Sequence, residues 1–357
     1  MKTYTKFLIN LFNFALLKVF SIFFTIILIT NILEQAEFFK DTNIGFFYLV
    51  FLSFLNTPSI IFEILPFIFL LSTQVFFINL IEKNELEIFK YSGLDNLKII
   101  KIISFYSFLI GFILVIIFYN VSSILKNSYL LIKNKHSNDN KYLAVVSENG
   151  LWIKDEINEN INVINAEKVD KNFLLNVFII QFDKDYNIIK LIQSKRVDIV
   201  SFKWKIFNAN IVKNNLKTNE DEFILESNFN LKKINGLFSN LSSLSLVDLL
   251  KLRKSYKSIN YSVTDIDSHM YKVVSYPIYL TLITIFSAVI MFNIGYQRNY
   301  FFKIIIGIFL SVVIYYINNF IGVLGTNEKI PLILSIFLPF IILSIINLIS
   351  IVRLNEK

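Results

Sequence analysis

Six long apolar stretches constrain this chain more than any other feature. Val19–Leu33, Ile60–Ile81, Ile99–Leu125, Val273–Ile294, Phe301–Ile321 and Ile330–Val352 carry almost no charge. A helix needs roughly 20 such residues to cross a hydrocarbon core. The first stretch reaches that length by recruiting Leu16 and Leu17. At 55% hydrophobic residues the chain exceeds the about 45–50% of soluble domains. The expected fold class is a polytopic α-helical membrane protein with six transmembrane helices. Phe46–Ile81 is apolar for longer than one span needs, so Pro58 is expected to start the second span, the residues before it lying along the outer interface. No small-residue cleavage site follows the first stretch, which reads as a retained span.

The basic residues fix a topology. Lys2 and Lys6 precede span one. Lys83, Lys90, Lys98 and Lys101 mark the loop between spans two and three, Arg298 and Lys303 the loop between spans four and five, and Arg353 and Lys357 the C-terminus. The short loops at Glu34–Gly45 and Gly322–Lys329 carry few. Both termini are therefore expected in the cytoplasm of a multi-pass membrane protein. The net charge of +8 belongs to this pattern rather than to a nucleic-acid surface. The segment 126–265, between spans three and four, is expected on the far side, since long segments cross largely regardless of charge. The chain thus divides into 1–125 with spans one to three, 126–265, and 266–357 with spans four to six.

The texture of 126–265 is β. Val177–Phe182, Ile188–Ile192, Arg196–Val200 and Trp204–Val212 are short runs rich in Ile, Val, Phe and Trp, with turn residues Asp183–Asn187 between the first two. Such spacing predicts a sandwich or jellyroll-like domain. Ser245–Tyr256 reads as a helix capped by Ser245.

The chemistry that is missing is informative. There is no cysteine, hence no disulfide or thiolate site. None of the nine glycines belongs to a phosphate-binding loop. His136 and His269 stand far apart, outside any metalloprotease arrangement. No cofactor or metal is expected, and a chain of this kind would draw its power from a partner.

Between spans two and three, residues 82–94 read as a short cytoplasmic amphipathic helix, acidic at its start, with Lys90 near its end and closing at Gly93. It is either a solvated connector or a coupling helix for the groove of an ATPase. Asn84-Glu85-Leu86 followed by Gly93-Leu94 resembles the coupling segment of the LptF/LptG lipopolysaccharide export permeases. Gly150-Leu151-Trp152-Ile153-Lys154-Asp155 resembles the run that opens the β-jellyroll of the G-type subunit. Ile321–Gly325 with Ile330-Pro331 and Leu338-Pro339 resembles the last hairpin of that family. Length and the order of spans, β domain and spans agree as well.

The resemblance implies a non-catalytic inner-membrane permease that pairs with a paralogous permease and sits on two copies of a cytoplasmic ATPase. Lipopolysaccharide would pass to a periplasmic bridge protein. It implies an ATPase-coupling site at Glu85, Leu86 and Gly93. It also implies a lateral lipid gate at Glu34 and Gln35, with Glu37 and Lys40 nearby. Where such permeases carry several lysines around that pair, this chain has Asn31 and Glu37, and its nearest lysine is Lys40. Phe178, Ile180 and Phe182, or the opposite face of their strand, would line a groove for acyl chains. The F-type paralogue is the nearest alternative; a mechanotransmitting or structural ABC membrane subunit that moves no lipid is another.

Other polar residues carry two readings each. Glu63, between Pro58 and Pro66, either faces protein or water as a functional group or stays hydrated near the outer surface. Asn318 and Asn319 suit interhelical hydrogen bonds. Lys18 suits snorkelling. His269 and Lys272 suit interfacial anchors or a phosphate contact, and Trp152 and Trp204 are expected in a core.

Overall fold

The structure is a computed structural model and describes residues 3–40, 44–135, 151–157, 160–170, 172–213, 216–231, 234, 240–258, 262–293 and 300–355. Lys2, His136, Gly150, Arg298 and Lys357, used above, lie outside the described residues. The chain forms two compact units, one of Met1–Lys126 with Thr264–Lys357 and one of Asn127–Val263.

The first unit is helical. Helices α1 (Thr3–Phe38), α2 (Phe46–Glu82), α3 (Glu85–Tyr91) and α4 (Asn96–Ile113) are followed by a π-helical turn, Leu114–Tyr119, that runs into α5 (Asn120–Lys135). After the second unit, whose last helix α6 is Leu246–Ser258, come α7 (Thr264–Asn293), α8 (Tyr300–Thr326) and α9 (Leu332–Asn355). Among the described residues six helices are long and apolar enough to cross a membrane: α1, α2, the α4–α5 rod, α7, α8 and α9.

Pro58 does not start the second span. Helix α2 runs unbroken through both Pro58 and Pro66. A proline removes one helical donor, and in hydrocarbon the freed carbonyl must be answered from elsewhere. The carbonyl that Pro66 deprives is that of Phe62, four residues back. Tyr276 of α7 donates its hydroxyl to it, and its ring stacks on Phe62 at 4.6 Å. Below Pro58, Thr57 Oγ1 donates to Ser53 O at 2.7 Å and Ser53 Oγ to Leu49 O at 2.8 Å.

Helix α7 is the hub of this unit. Ser287 Oγ donates to Leu70 O of α2 at 2.7 Å and Thr284 Oγ1 to Ser107 Oγ of α4 at 3.1 Å, while Asn347 Nδ2 of α9 donates to Leu282 O at 3.0 Å. A Cβ on Gly111 would lie 2.8 Å from Pro277 Cα, so only glycine lets α4 and α7 approach this closely. Coverage is uneven. Only 11% of the apolar window of α8 and 17% of that of α1 is buried, against 67% for α7. These two spans present apolar faces with little of the unit packed on them.

The second unit holds a single six-stranded antiparallel sheet in simple meander order: β1 (Leu151–Ile157), β2 (Asn160–Asp170), β3 (Phe173–Phe182), β4 (Ile188–Asp198), β5 (Lys203–Lys213) and β6 (Leu216–Glu226). The two runs expected at Ile188–Ile192 and Arg196–Val200 are one strand, β4. Among the described residues the expected β domain is one rolled sheet. What makes one sheet enough is a crease. In β2, β3, β4 and β5 the in–out alternation slips at the same level. The core residues are Ala166 then Val169, Leu174 then Val177, Ser194 then Val197, and Ile206 then Ala209. Ala166 pairs with Val177 and Val177 with Ser194, so the slips are aligned across the sheet. Asn176 and Asn208 take left-handed conformations there, φ 50 and 48, as asparagine tolerates. Ser194 Oγ repairs the interrupted ladder by accepting from Arg196 N at 3.1 Å and donating towards Phe207 O at 2.5 Å. Aligned slips of this kind bend these four strands at one level and fold the inner face over a core that includes Trp204, Ile206, Ile164, Ile179 and Phe229.

Asp155 closes the roll. Buried on β1, it accepts from Ser227 Oγ at 2.8 Å, Asn228 N at 3.1 Å and Asn228 Nδ2 at 2.9 Å, all just past β6. Trp204 Nε1 donates to Phe229 O at 2.7 Å in the same corner. The β3–β4 turn is held by Asp183, which accepts from the side chain and backbone of Asn187 and from Asp185 N. The Asn187 side chain, first among these donors, holds the carboxyl below its ordinary range. The turn's electrostatic support is therefore present above the ordinary carboxylate pKa and fades as pH falls through the lowered one. Helix α6 is capped as expected, Asp248 N donating to Ser245 Oγ at 3.2 Å.

Two substitutions test these ties. Asp155→Ala strands three donors and should destabilise the β unit by on the order of 2–3 kcal/mol. Thermal unfolding of the purified chain, followed by loss of β-sheet circular dichroism, should start at lower temperature. Tyr276→Phe leaves the Phe62 carbonyl unanswered and should cost about 1–3 kcal/mol, read as earlier loss of helical signal in detergent. An unchanged unfolding profile would refute either assignment.

Candidate functional site

Helix α3 is short because its ends are chemically fixed. Asn84 precedes it in a left-handed conformation, φ 56, and Gly93 follows it at φ 81. Leu94 N donates to Phe89 O at 2.9 Å and Gly93 N to Lys90 O at 3.0 Å, the paired bonds of a glycine-terminated helix. Lys98 Nζ adds a bond to Gly93 O at 3.0 Å. Leu86 is fully buried and pins one face of α3. The opposite face is apolar and open, with Ile88 60% and Tyr91 90% exposed.

Glu85 lies between these faces. Its Oε2 is buried with no hydrogen-bond partner among the described residues. It helps line a cavity of about 420 Å³ with Ile88, Phe89 and, from α1, Thr3, Tyr4 and Phe7. The Phe7 and Phe89 rings stand 5.9 Å apart. The first turns of α1 therefore belong to this site, although nothing in their sequence singles them out.

The residues expected at the lipid gate do not face one way. Glu34, Glu37 and Lys40 are exposed at the end of α1, whereas Gln35 is turned into the bundle. Asn31, one turn earlier, makes the defining contacts. Its Nδ2 donates to Thr57 Oγ1 at 3.2 Å and its Oδ1 accepts from Asn56 Nδ2 at 2.9 Å. This polar ladder ties α1 to α2 within the span, where such bonds contribute about 0.6–2 kcal/mol each. Four polar residues of one type class, Asn31, Ser53, Asn56 and Thr57, in otherwise apolar runs are the signal that would have found it.

Four further polar sites resolve. Glu63 is exposed, and its charge acts on Lys126 of α5 and on Tyr276. Tyr119 and His269 are hydrogen bonded, Oη to Nε2 at 2.9 Å. Lys272 reaches across to α8, its Nζ 3.1 Å from where a Cβ on Gly322 would lie. Lys303, read from sequence as a loop charge, is instead in the first turns of α8 and only 2% exposed. Its Nζ donates to Met291 O at 3.3 Å, a carbonyl at the end of α7, where a cation is favoured. Gln74 Nε2 of α2 donates to Lys303 O at 3.1 Å, and Gly307 leaves the room that Gln74 occupies.

On the sheet, Phe178, Ile180 and Phe182 lie on the outward face, and their neighbours Val177 and Ile179 turn into the core. Of the two tryptophans, Trp204 is buried as expected. Trp152 is not a core residue: its position on β1 faces away from the core and it is 55% exposed.

A family model described as lipopolysaccharide export system permease LptF/LptG matches residues 6–353. No curated protein matches the chain. The matched region takes in all six apolar helices and the inserted six-stranded sheet, so the site residues above sit in a multi-pass membrane permease: the chain belongs to the LptF/LptG family of lipopolysaccharide export permeases.

Proposed function

We propose that the chain is the G-type permease of an ABC-type lipopolysaccharide exporter of the cell inner membrane, itself non-catalytic. Its partners are a paralogous permease, two copies of a cytoplasmic ATPase and a periplasmic bridge protein. Both termini lie in the cytoplasm and residues 126–265 in the periplasm. The observation that carries this reading is the family match over nearly the whole chain. The poor coverage of α1 and α8 supports it, since such apolar faces suit a second permease and a lipid between the two. The Leu151–Asp155 segment favours the G-type over the F-type subunit. It matters structurally because its Asp155 ties β1 to the chain beyond β6.

In this reading α3 seats in the ATPase through Ile88 and Tyr91, with Glu85 answering a basic group of that subunit and Leu86 and Gly93 holding the helix in place. Glu34, Gln35, Glu37 and Lys40 border the lipid gate. Phe178, Ile180 and Phe182, or the inward face of their strand, meet the acyl chains.

Two experiments bear on it. Replacing Glu85 with Ala should weaken ATPase association by on the order of thirtyfold, the loss of about 2 kcal/mol expected when one partner of a buried ion pair is removed. ATP-driven release of lipopolysaccharide from proteoliposomes should fall with it; normal recovery of the complex and normal release would exclude the coupling role. Lipid crosslinking within the spans of the same complex separates an exporter from a mechanotransmitting subunit. For the topology, a cysteine placed at Asn219 in this cysteine-free chain should react with an impermeant maleimide only from the periplasmic side. Labelling from the cytoplasm alone would invert the proposal.

A further inference from the structure

One row of the sheet runs through every strand on its outward face. Trp152 pairs with Asn165, Asn165 with Phe178, Phe178 with Gln193, Gln193 with Asn210, and Asn210 with Asn219. Directly opposed residues share a face, and at about 4.8 Å per strand the row is about 24 Å long. Phe178 is 39% exposed, Gln193 and Asn219 are exposed, and Asn165 and Asn210 are half-buried. The next level along the strands is the crease, where Asn176, Lys195 and Asn208 are exposed. Between the two levels the sheet is hollowed into a cavity of about 450 Å³, lined by Asn176, Phe178, Gln193, Lys195, Asn208 and Asn210 over the buried Val177 and Ser194.

The side chains of this band are planar amides set between aromatic faces. Each amide offers two donors and an acceptor in one plane, which matches neighbouring hydroxyl groups that both donate and accept. Trp152 and Phe178, two strands apart, present flat apolar surfaces of the kind that cover the C–H face of a sugar ring. A protein-docking patch would gather its apolar residues into a core; here amides separate them. Lys195 places a cation in the cavity, a compact point charge for an anion. Asn176 is held by Nδ2 donating to Glu167 Oε2 at 2.5 Å.

We propose that this band and its cavity bind a saccharide chain that carries an anionic substituent. Lys195 takes the anion, Asn176, Gln193, Asn208 and Asn210 take the hydroxyls, and Trp152 and Phe178 stack on the rings. The site deepens the export reading and rests on it for the source of the saccharide, the glycan of the exported lipid; a free oligosaccharide has the same chemistry.

The chain reports on the site itself, because Trp204 is buried and hydrogen bonded while Trp152 stands in the row. The probe is the phosphorylated oligosaccharide released by deacylating lipopolysaccharide, added to the full chain in nanodiscs. A saturable shift in Trp152 emission is expected. Asn208→Gly, which keeps the left-handed backbone and removes the amide, should weaken binding about tenfold, the loss of one to two hydrogen bonds. Gln193→Ala, at an exposed position, should act likewise. Lys195→Gln should reduce affinity for the phosphorylated oligosaccharide to that for its dephosphorylated form. No saturable shift, or equal affinity in all variants, overturns the site. If the variants instead abolish recovery of a partner protein and leave oligosaccharide binding intact, the band is a protein interface and the saccharide assignment falls. Displacement by intact lipopolysaccharide, and not by a neutral glucan, assigns the source to the lipid; failure to displace overturns that assignment. Export without oligosaccharide binding removes this proposal alone. Oligosaccharide binding without export in the reconstituted complex removes the export reading and leaves the site standing.

Discussion

The hydroxyl of Tyr276 on the carbonyl of Phe62 is the contact on which the helical unit depends. Proline at position 66 frees that carbonyl inside an apolar span, where no water is at hand to answer it. The donor comes from α7, the helix that also bonds α2 through Ser287 and α4 through Thr284. A proline in α2 therefore sets the rotation and depth at which α7 must sit, and α7 in turn sets α4 and α9. The Gly111–Pro277 contact is a consequence of the same placement, because α7 can meet this register only if α4 has no side chain there.

In the β unit the corresponding constraint is the alignment of the slips. A slip in one strand would turn its remaining side chains to the wrong face. Four slips at one level keep every strand in phase with its neighbours and convert the fault into a bend. The core residues before and after the crease then converge on Trp204, and the chain beyond β6 comes back to β1, where Asp155 bonds it. The crease has a second effect on the outward face, where it opens the hollow around Asn208. Closure of the core and the cavity outside it thus share one backbone feature.

Much of this architecture was legible in the residues. Six spans follow from apolar length, and α3 follows from its acidic start and from Gly93. What failed had physical reasons. Pro58 reads as a helix start because proline suits a first turn, whereas the fold carries α2 straight through it from Phe46. Strand β6, Leu216–Glu226, is missed because nearly all its residues are exposed on an edge, leaving little apolar alternation to detect. The aligned slips break the period-two pattern in the middle of β4, which makes one strand look like two. Trp152 was misplaced for a related reason: tryptophan in a strand is more often buried than not, and only the register shows which face it takes. At the candidate sites, Glu85 was visible through its motif, whereas the α1 side of its cavity, Thr3, Tyr4 and Phe7, needed the fold to bring it there.

Helix α1 joins the two candidate sites of the helical unit. Its first turns pack on α3 through Phe7 and Phe89, and its far end is tied to α2 through Asn31. Between these points most of its apolar window is uncovered. One face of its middle is nevertheless packed, Phe12 lying against Phe69 and Phe76 of α2 and Phe24 against Phe54, with Ala15, Val19 and Ile27 buried beside them, so that α1 and α2 move as a pair and only the opposite face is bare. Helix α8 is equally bare but held differently, by the buried Lys303 and Gln74 at one end and by the hairpin to α9 at the other, where Gly325 sits against Ser335. The two least covered spans are thus anchored at different kinds of sites, one through an aromatic contact with the short helix α3 and one through a buried cation on a helix end. Displacement of α3 reaches α1 directly and α8 only through α2 and α7.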